Sequence, residues 1–153
     1  MANHHVWVFF YGSYINLDVL RDLGLVPERF EVARLPGFDI RVAPLANLVR
    51  ADGQTAYGIL ATATHADLRR LYEHAQQILG EVYLPEAVLV ETLGGTFRPA
   101  LCYTCPEMAA RPADPAYLDR LVHAARLHGF PAWYLQRLES FRVAATYPEG
   151  VMI

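Results

Sequence analysis

Hydrophobic residues fall in short blocks of two different periods, and the order of those periods points to the architecture. Val6-Trp7-Val8-Phe9-Phe10 is an unbroken β-branched and aromatic run closed by Gly12, which predicts a buried strand entering a turn. Asn16 is placed to cap a helix over residues 17–23, with Asp18 favourable in the first turn and Gly24 suited to the left-handed position past the end. From residue 30 to residue 60 the period becomes two, as in Phe38-Asp39-Ile40-Arg41-Val42, and Asp52-Gly53 offers a hairpin turn before a strand over 55–61. An antiparallel sheet is the natural product.

The helical period then takes over. Thr64 with Asp67 three residues later forms an N-terminal box, and Leu68, Leu71, Tyr72, Ala75, Ile78 and Leu79 fall on one stripe that Gly80 stops. Residues 82–92 and 96–104 read as two more strands around the Gly94-Gly95 turn, with Pro85 marking an edge or bulge. Asp114-Pro115 caps and opens a helix whose stripe is Tyr117, Leu118, Leu121, Val122 and Ala125, ending near Gly129. Pro131 opens another, with Tyr134, Leu135, Leu138 and Phe141 facing inward. Strands are gathered in the first two-thirds and helices at the end, so the expected class is α+β rather than alternating βαβ units.

Composition narrows the function more than the fold. The 153 residues are 54% hydrophobic and 19% charged, with no repeat, low-complexity tract or linker, which predicts one domain over 1–153 with a single core. A formal net charge of -3 gives no electrostatic basis for binding nucleic acid. No apolar run approaches the roughly 20 residues that span a bilayer, and 6–10 is too short for a signal core, so the expected setting is cytoplasmic. Oligomeric state has no signature in the sequence.

Two segments carry candidate chemistry. Tyr11-Gly12-Ser13-Tyr14 follows a buried strand and precedes a helix; its glycine lets a ligand approach the backbone, and its free N–H groups suit a carboxylate or an oxyanion. An ordinary strand-to-helix turn has the same local sequence. Glu81 sits beside the helix-stopping Gly80 and two residues before Tyr83, where desolvation can raise a carboxyl pKa toward the range of a general acid/base. Its rival Glu73 shares the polar side of the helix with Arg70, His74 and Gln77, a solvated position. A surface-turn role fits Glu81 as well.

Other candidates are weaker. Cys102 and Cys105 have dithiol spacing, but they lie in a predicted strand rather than at a helix start, with no second pair to complete a zinc site, so they read as ordinary thiols. The six histidines show no metal-ligand spacing, and neither GxGxxG nor GxxxxGK[ST] occurs; no metal or cofactor is expected.

The order of these pieces resembles the gamma-glutamylcyclotransferase superfamily, including the AIG2-like proteins, across nearly the whole chain. Tyr11-Gly12-Ser13 matches its YGS motif at the end of an apolar strand. Tyr57-Gly58-Ile59-Leu60 is similar to the strand before its catalytic helix, and Ala100-Leu101-Cys102-Tyr103 to a later strand that commonly carries a tyrosine. Pro115-Ala116-Tyr117-Leu118 and Gly129-Phe130-Pro131-Ala132-Trp133-Tyr134 are similar to its two tail helices.

That resemblance implies a mixed, largely antiparallel curled sheet or small barrel with peripheral helices. It also implies a cofactor-independent reaction on a small gamma-glutamyl substrate: the free α-amine attacks its own γ-carbonyl, giving 5-oxoproline and a free amine. A carboxylate would shuttle the protons, while amides of Gly12, Ser13 and Tyr14 hold substrate oxygens and Tyr11 and Tyr103 close the pocket. Two departures stand out. Tyr14 follows YGS where the family has Asn, Leu or another residue, and can reshape the pocket. Leu71-Tyr72-Glu73-His74-Ala75-Gln76 lacks the Asp and the Glu-Gly pair of the family's Leu-Asp-x-x-Glu-Gly segment. Placing the acid then takes a gap, which assigns it to Glu81, with Glu73 as the fallback. A catalytically silent small-molecule-binding domain on the same scaffold is the alternative.

Overall fold

A computed structural model describes residues 4–142 of the chain. Five strands close into a barrel: β1 (His5–Phe10), β2 (Phe30–Val42), β3 (Ala46–Thr64), β4 (Leu84–Thr92) and β5 (Phe97–Thr104), ordered β1-β3-β2-β4-β5. Neighbours pair antiparallel except where β5 returns alongside β1, with Val8 opposite Leu101 and Phe9 opposite Cys102. Paired on both sides, β1 lies in the core, which is why its sequence is continuously apolar rather than alternating. This is the mixed, largely antiparallel barrel expected, in an α+β fold.

Four helices lie on the barrel: α1 (Leu17–Asp22), α2 (His65–Leu79), α3 (Pro115–Leu127) and α4 (Ala132–Glu139). Their ends follow the sequence signals. Asn16 accepts from the Asp18 amide, Thr64 and Asp67 form a reciprocal capping box, Asp114 accepts from the Tyr117 amide, and Gly80 closes α2 at φ 75°. Leu68, Leu71 and Ala75 bury the inner stripe of α2, and Leu118, Leu121, Val122 and Ala125 that of α3.

Two expectations are corrected. Asp52-Gly53 is not a hairpin turn: the β2–β3 hairpin turns at residues 43–45, around a cis Ala43–Pro44 bond, and Asp52-Gly53 lies within β3. There it faces the irregularity in β2 between Pro36 and Phe38, with Gly37 at φ 84° and Gly53 at φ 78°, so the turn-like dipeptide bends a long ribbon instead of ending it. The α2 stripe also stops early, since Ile78 is 67% exposed and Leu79 38%.

One glycine roots the loop after β1. A Cβ on Gly58 of β3 would lie 2.2 Å from the Phe10 carbonyl oxygen and 2.8 Å from Phe9 Cζ. Only glycine lets β3 pass this close to the end of β1.

Candidate functional site

The end of β1, the N-terminal part of β3, the outer half of α2 and the start of α3 surround a narrow pocket. Six tyrosines line it: Tyr11, Tyr14, Tyr72, Tyr83, Tyr103 and Tyr117. Gly12 and Ser13 contribute the main chain of the loop, and Ala46, Ala75 and Leu79 fill the gaps. All five residues expected to bind substrate, Tyr11, Gly12, Ser13, Tyr14 and Tyr103, thus lie on one wall system. No charged side chain lines this pocket among the described residues.

The rings hold one another in place. Tyr72 stacks on Tyr103 with centroids 3.8 Å apart at 9°, and meets Tyr14 edge to face at 5.6 Å and 80°. Tyr14 in turn packs at 80° against Phe10.

Hydroxyl hydrogens are mostly committed to the backbone. Tyr11 donates to the Tyr103 carbonyl (2.6 Å), Tyr14 to the Leu71 carbonyl (2.8 Å) and Tyr83 to the Ala46 carbonyl (2.7 Å). Their lone pairs remain available to a ligand. Tyr117 differs: its hydroxyl oxygen accepts from the Ala46 amide at 3.2 Å and also lies beside the Ser13 backbone and hydroxyl. The Tyr72 hydroxyl has no partner among the described residues.

Burial sets the electrostatics. Desolvation is the largest cause of the raised pKa at every one of these tyrosines; Tyr14 is pushed up to about 12, and Tyr11 and Tyr72 well above the ordinary value. The pocket is lined by neutral phenols at physiological pH, not by phenolates.

The expected acid stands elsewhere. At the end of α2 the chain divides two cavities: Leu79 and Tyr83 line the tyrosine pocket, whereas Gly80, Glu81 and Val82 line a neighbouring groove with Cys105 and Glu107. The Glu81 side chain is 14% exposed; Oε2 accepts from the Cys105 thiol at 3.5 Å and Oε1 lies 3.8 Å from Arg111 Nη2. Glu73 is exposed on the outside of α2 and lines neither cavity. Cys102 and Cys105 are both free and buried, and burial pushes the Cys102 thiol up to about 12, which suits packing rather than nucleophilic chemistry.

Seven wall residues were not among the expected site residues: Phe10, Ala46, Tyr72, Ala75, Leu79, Tyr83 and Tyr117. The signal for two of them was present. Read without a gap, the Leu-Asp-x-x-Glu-Gly pattern sets Tyr72 at its Asp and Ala75 at its Glu, and both line the pocket. Tyr117 was assigned to the core stripe of α3, where its ring is indeed buried while its hydroxyl reaches Ala46.

Among the described residues no cluster of His, Cys, Asp and Glu could hold a metal ion, and no helix is long and apolar enough to cross a membrane.

No family model and no curated protein matches the chain. Solved structures do. A structure described as a gamma-glutamyl cyclotransferase superposes with a TM-score of 0.78 at 20% identity, covering 95% of each chain. An uncharacterized protein from Homo sapiens gives 0.79 at 20% identity, covering 94% of this chain and 92% of the other. An AIG2-like protein from Mus musculus gives 0.56 at 19% identity over 75% of this chain and 83% of its own. The chain therefore has the gamma-glutamyl cyclotransferase fold.

Proposed function

We propose that the protein is a small-molecule-binding domain on the gamma-glutamyl cyclotransferase scaffold, whose tyrosine pocket takes gamma-glutamyl compounds or their cyclised product without turning one into the other. One observation carries this reading: the loop residues 11–14 line a pocket in which the two positions that the family pattern gives to carboxylates hold Tyr72 and Ala75. The loop supplies main-chain donors for a ligand's oxygens, and the phenol oxygens of Tyr11, Tyr14 and Tyr83 supply acceptors. Ring closure also needs a base for the attacking nitrogen and an acid for the departing one. Neutral phenols with raised pKa values are poor bases at neutral pH.

A second reading keeps the cyclotransferase activity, with Glu81 as the acid/base. It is favoured by the electrostatic reach of Glu81, which contributes to the raised pKa of Tyr83 in the pocket wall, after burial, Tyr117 and Cys105. In that reaction the α-ammonium gives one proton to Glu81, and the freed amine forms a bond to the γ-carbonyl carbon. The C–N bond to the leaving group then breaks as Glu81 returns the proton to the departing nitrogen. The ring nitrogen sheds its remaining extra proton to the released amine, so the products are 5-oxoproline and an ammonium ion.

The two readings separate in one experiment. Calorimetric titration of the wild-type protein with gamma-glutamyl amines, gamma-glutamyl peptides and 5-oxoproline, with chromatography of each mixture, reports binding and turnover together. Saturable binding without 5-oxoproline release is the expected result. Release over many turnovers that Glu81→Gln abolishes establishes the cyclotransferase.

A further inference from the structure

The chain has no lysine; its 13 basic side chains besides histidine are all arginines. Among the described residues, eight of them have a carboxylate oxygen within 4.0 Å. Three of the other five, Arg69, Arg120 and Arg126, are exposed on the outer faces of α2 and α3. The remaining two meet. Arg29 Cζ lies 5.1 Å from the centre of the Trp7 ring and Arg98 Cζ 4.8 Å from it, so two cations share one indole and stand within about 10 Å of each other.

The barrel fixes this cluster. Trp7 of β1 is opposite Thr62 of β3. Thr62 in turn holds Arg29 at both backbone groups: its amide donates to the Arg29 carbonyl at 3.1 Å and its hydroxyl accepts from the Arg29 amide at 3.2 Å. Arg98 stands in β5, the strand that runs beside β1. The cluster surrounds the first half of β1, with Trp7 about 16 Å along the strand from Gly12 and the tyrosine pocket.

A guanidinium that lies over an indole gains from the ring face but leaves its N–H edge unused. Arg98 shows the consequence, since its Nε is closed to solvent and has no acceptor among the described residues. A buried donor without a partner is costly, and two neighbouring cations repel each other. An oxyanion answers both, because Nε and one Nη together form the fork that takes two of its oxygens. Turning the long Arg98 side chain brings that fork out toward Arg29 and uncovers part of the indole. Glu28 and Glu31 line the adjoining groove with Trp7, Arg29 and Phe30, yet neither reaches within 4.0 Å of either guanidinium; Glu28 faces His5 at 3.9 Å. Their charges disfavour an extended polyanion and leave room for a compact one.

We propose that Trp7, Arg29 and Arg98 form an anion site at the end of the barrel away from the tyrosine pocket, and that it takes a single phosphate group, free or as a small monoester. The site is independent of what the tyrosine pocket binds.

Equilibrium dialysis of radiolabelled inorganic phosphate against the whole chain, at constant ionic strength, measures binding. Emission of Trp7 in a Trp133→Phe background places it, since these are the 2 tryptophans. Saturable binding is expected with a Kd of about 1 mM or tighter, together with a change in Trp7 emission. Arg29→Gln, at an exposed side chain, is expected to weaken binding at least about tenfold, as for lost charge-assisted hydrogen bonds. Arg69→Gln removes the same charge from α2 and is expected to change it less than about twofold, because screening at physiological salt hides distant charges. Competition by glycerol phosphate at similar concentrations supports a monoester as the carrier, and its failure supports free phosphate. No saturation by about 10 mM phosphate, ten times the expected Kd, overturns the proposal. So does binding that leaves Trp7 emission unchanged, that Arg29→Gln and Arg69→Gln weaken equally, or that acetate matches in affinity.

Discussion

Two segments frame the tyrosine pocket, and they are built on opposite principles. The loop 11–14 is held from every side: Gly58 lets β3 close on its root, the Tyr11 and Tyr14 hydroxyls donate to distant carbonyls, and Gly12 has room for no Cβ beyond 3.0 Å of Ala46 Cβ and 3.1 Å of the Tyr117 oxygen. The end of α2 is loosely held. Ile78 is exposed, Gly80 leaves the helix in the left-handed conformation, and Glu81 turns to a neighbouring groove. In the proposed binding function, the rigid loop supplies main-chain donors on one side of the pocket, while the facing α2 side carries neutral groups. Binding and catalysis can therefore part company on one scaffold, because they are placed by different elements.

The largest effect should come from disturbing the loop at its root. Gly58→Ala puts a methyl group into the Phe10 carbonyl and the Phe9 ring and is expected to destabilise the fold by about 3 kcal/mol, the upper range for overpacking, in urea denaturation. A loss under about 1 kcal/mol would mean that β1 and β3 can part without cost and that the loop is not rigidly rooted.

Next comes the donor itself. Ser13→Pro removes the amide and is expected to weaken ligand binding at least about tenfold relative to Ser13→Ala, which removes only the hydroxyl. Equal affinities in two folded variants would show that the Ser13 amide is not used. In the neighbouring groove, Glu81→Gln is expected to change ligand affinity less than about twofold, while the Cys105 thiol becomes more readily alkylated. Burial, then the Glu81 carboxylate, holds the Cys105 pKa up, so removing the charge lets it fall.

The raised pKa values set a smaller, graded effect. Tyr14 and Cys102 keep their protons to about 12 in the folded chain, whereas in an unfolded chain they titrate near 10.0 and 9.0. The folded state then holds more protons than the unfolded state between those limits, so stability is full below about pH 9 and is lost as pH rises toward 12. Denaturation midpoints across pH 8 to 11 should fall steadily at the upper end; a flat profile would show that the phenols are solvated.

The sequence made the loop legible and left the helix end obscure, for physical reasons. Val6 to Phe10, Gly12 and the Asn16 cap are local signals, and the structure follows them residue by residue. The caps at Thr64 and Asp114 were equally plain. Asp52-Gly53 misled because a bent two-stranded ribbon and a hairpin turn ask for the same dipeptide, and only the register with Pro36 and Phe38 distinguishes them. Glu81 is a different case. Its position after a helix-stopping glycine says that it projects, but not on which side of the strand that follows, and neighbouring residues there face two separate cavities. Tyr72 and Ala75 carry no chemistry that marks them in a sequence; an alanine in a helical stripe reads as core until the cavity beside it is seen.

The central claim is that this pocket binds without cyclising, and direct measurement of 5-oxoproline tests it. The wild-type protein would be incubated with gamma-glutamyl amines and peptides under conditions where calorimetry registers binding. The account predicts that 5-oxoproline does not accumulate above the uncatalysed background in any mixture, including after overnight incubation with excess substrate. Accumulation to many equivalents per protein, lost in Glu81→Gln and kept in Glu73→Gln, would contradict it and return the chain to the enzymes whose fold it shares.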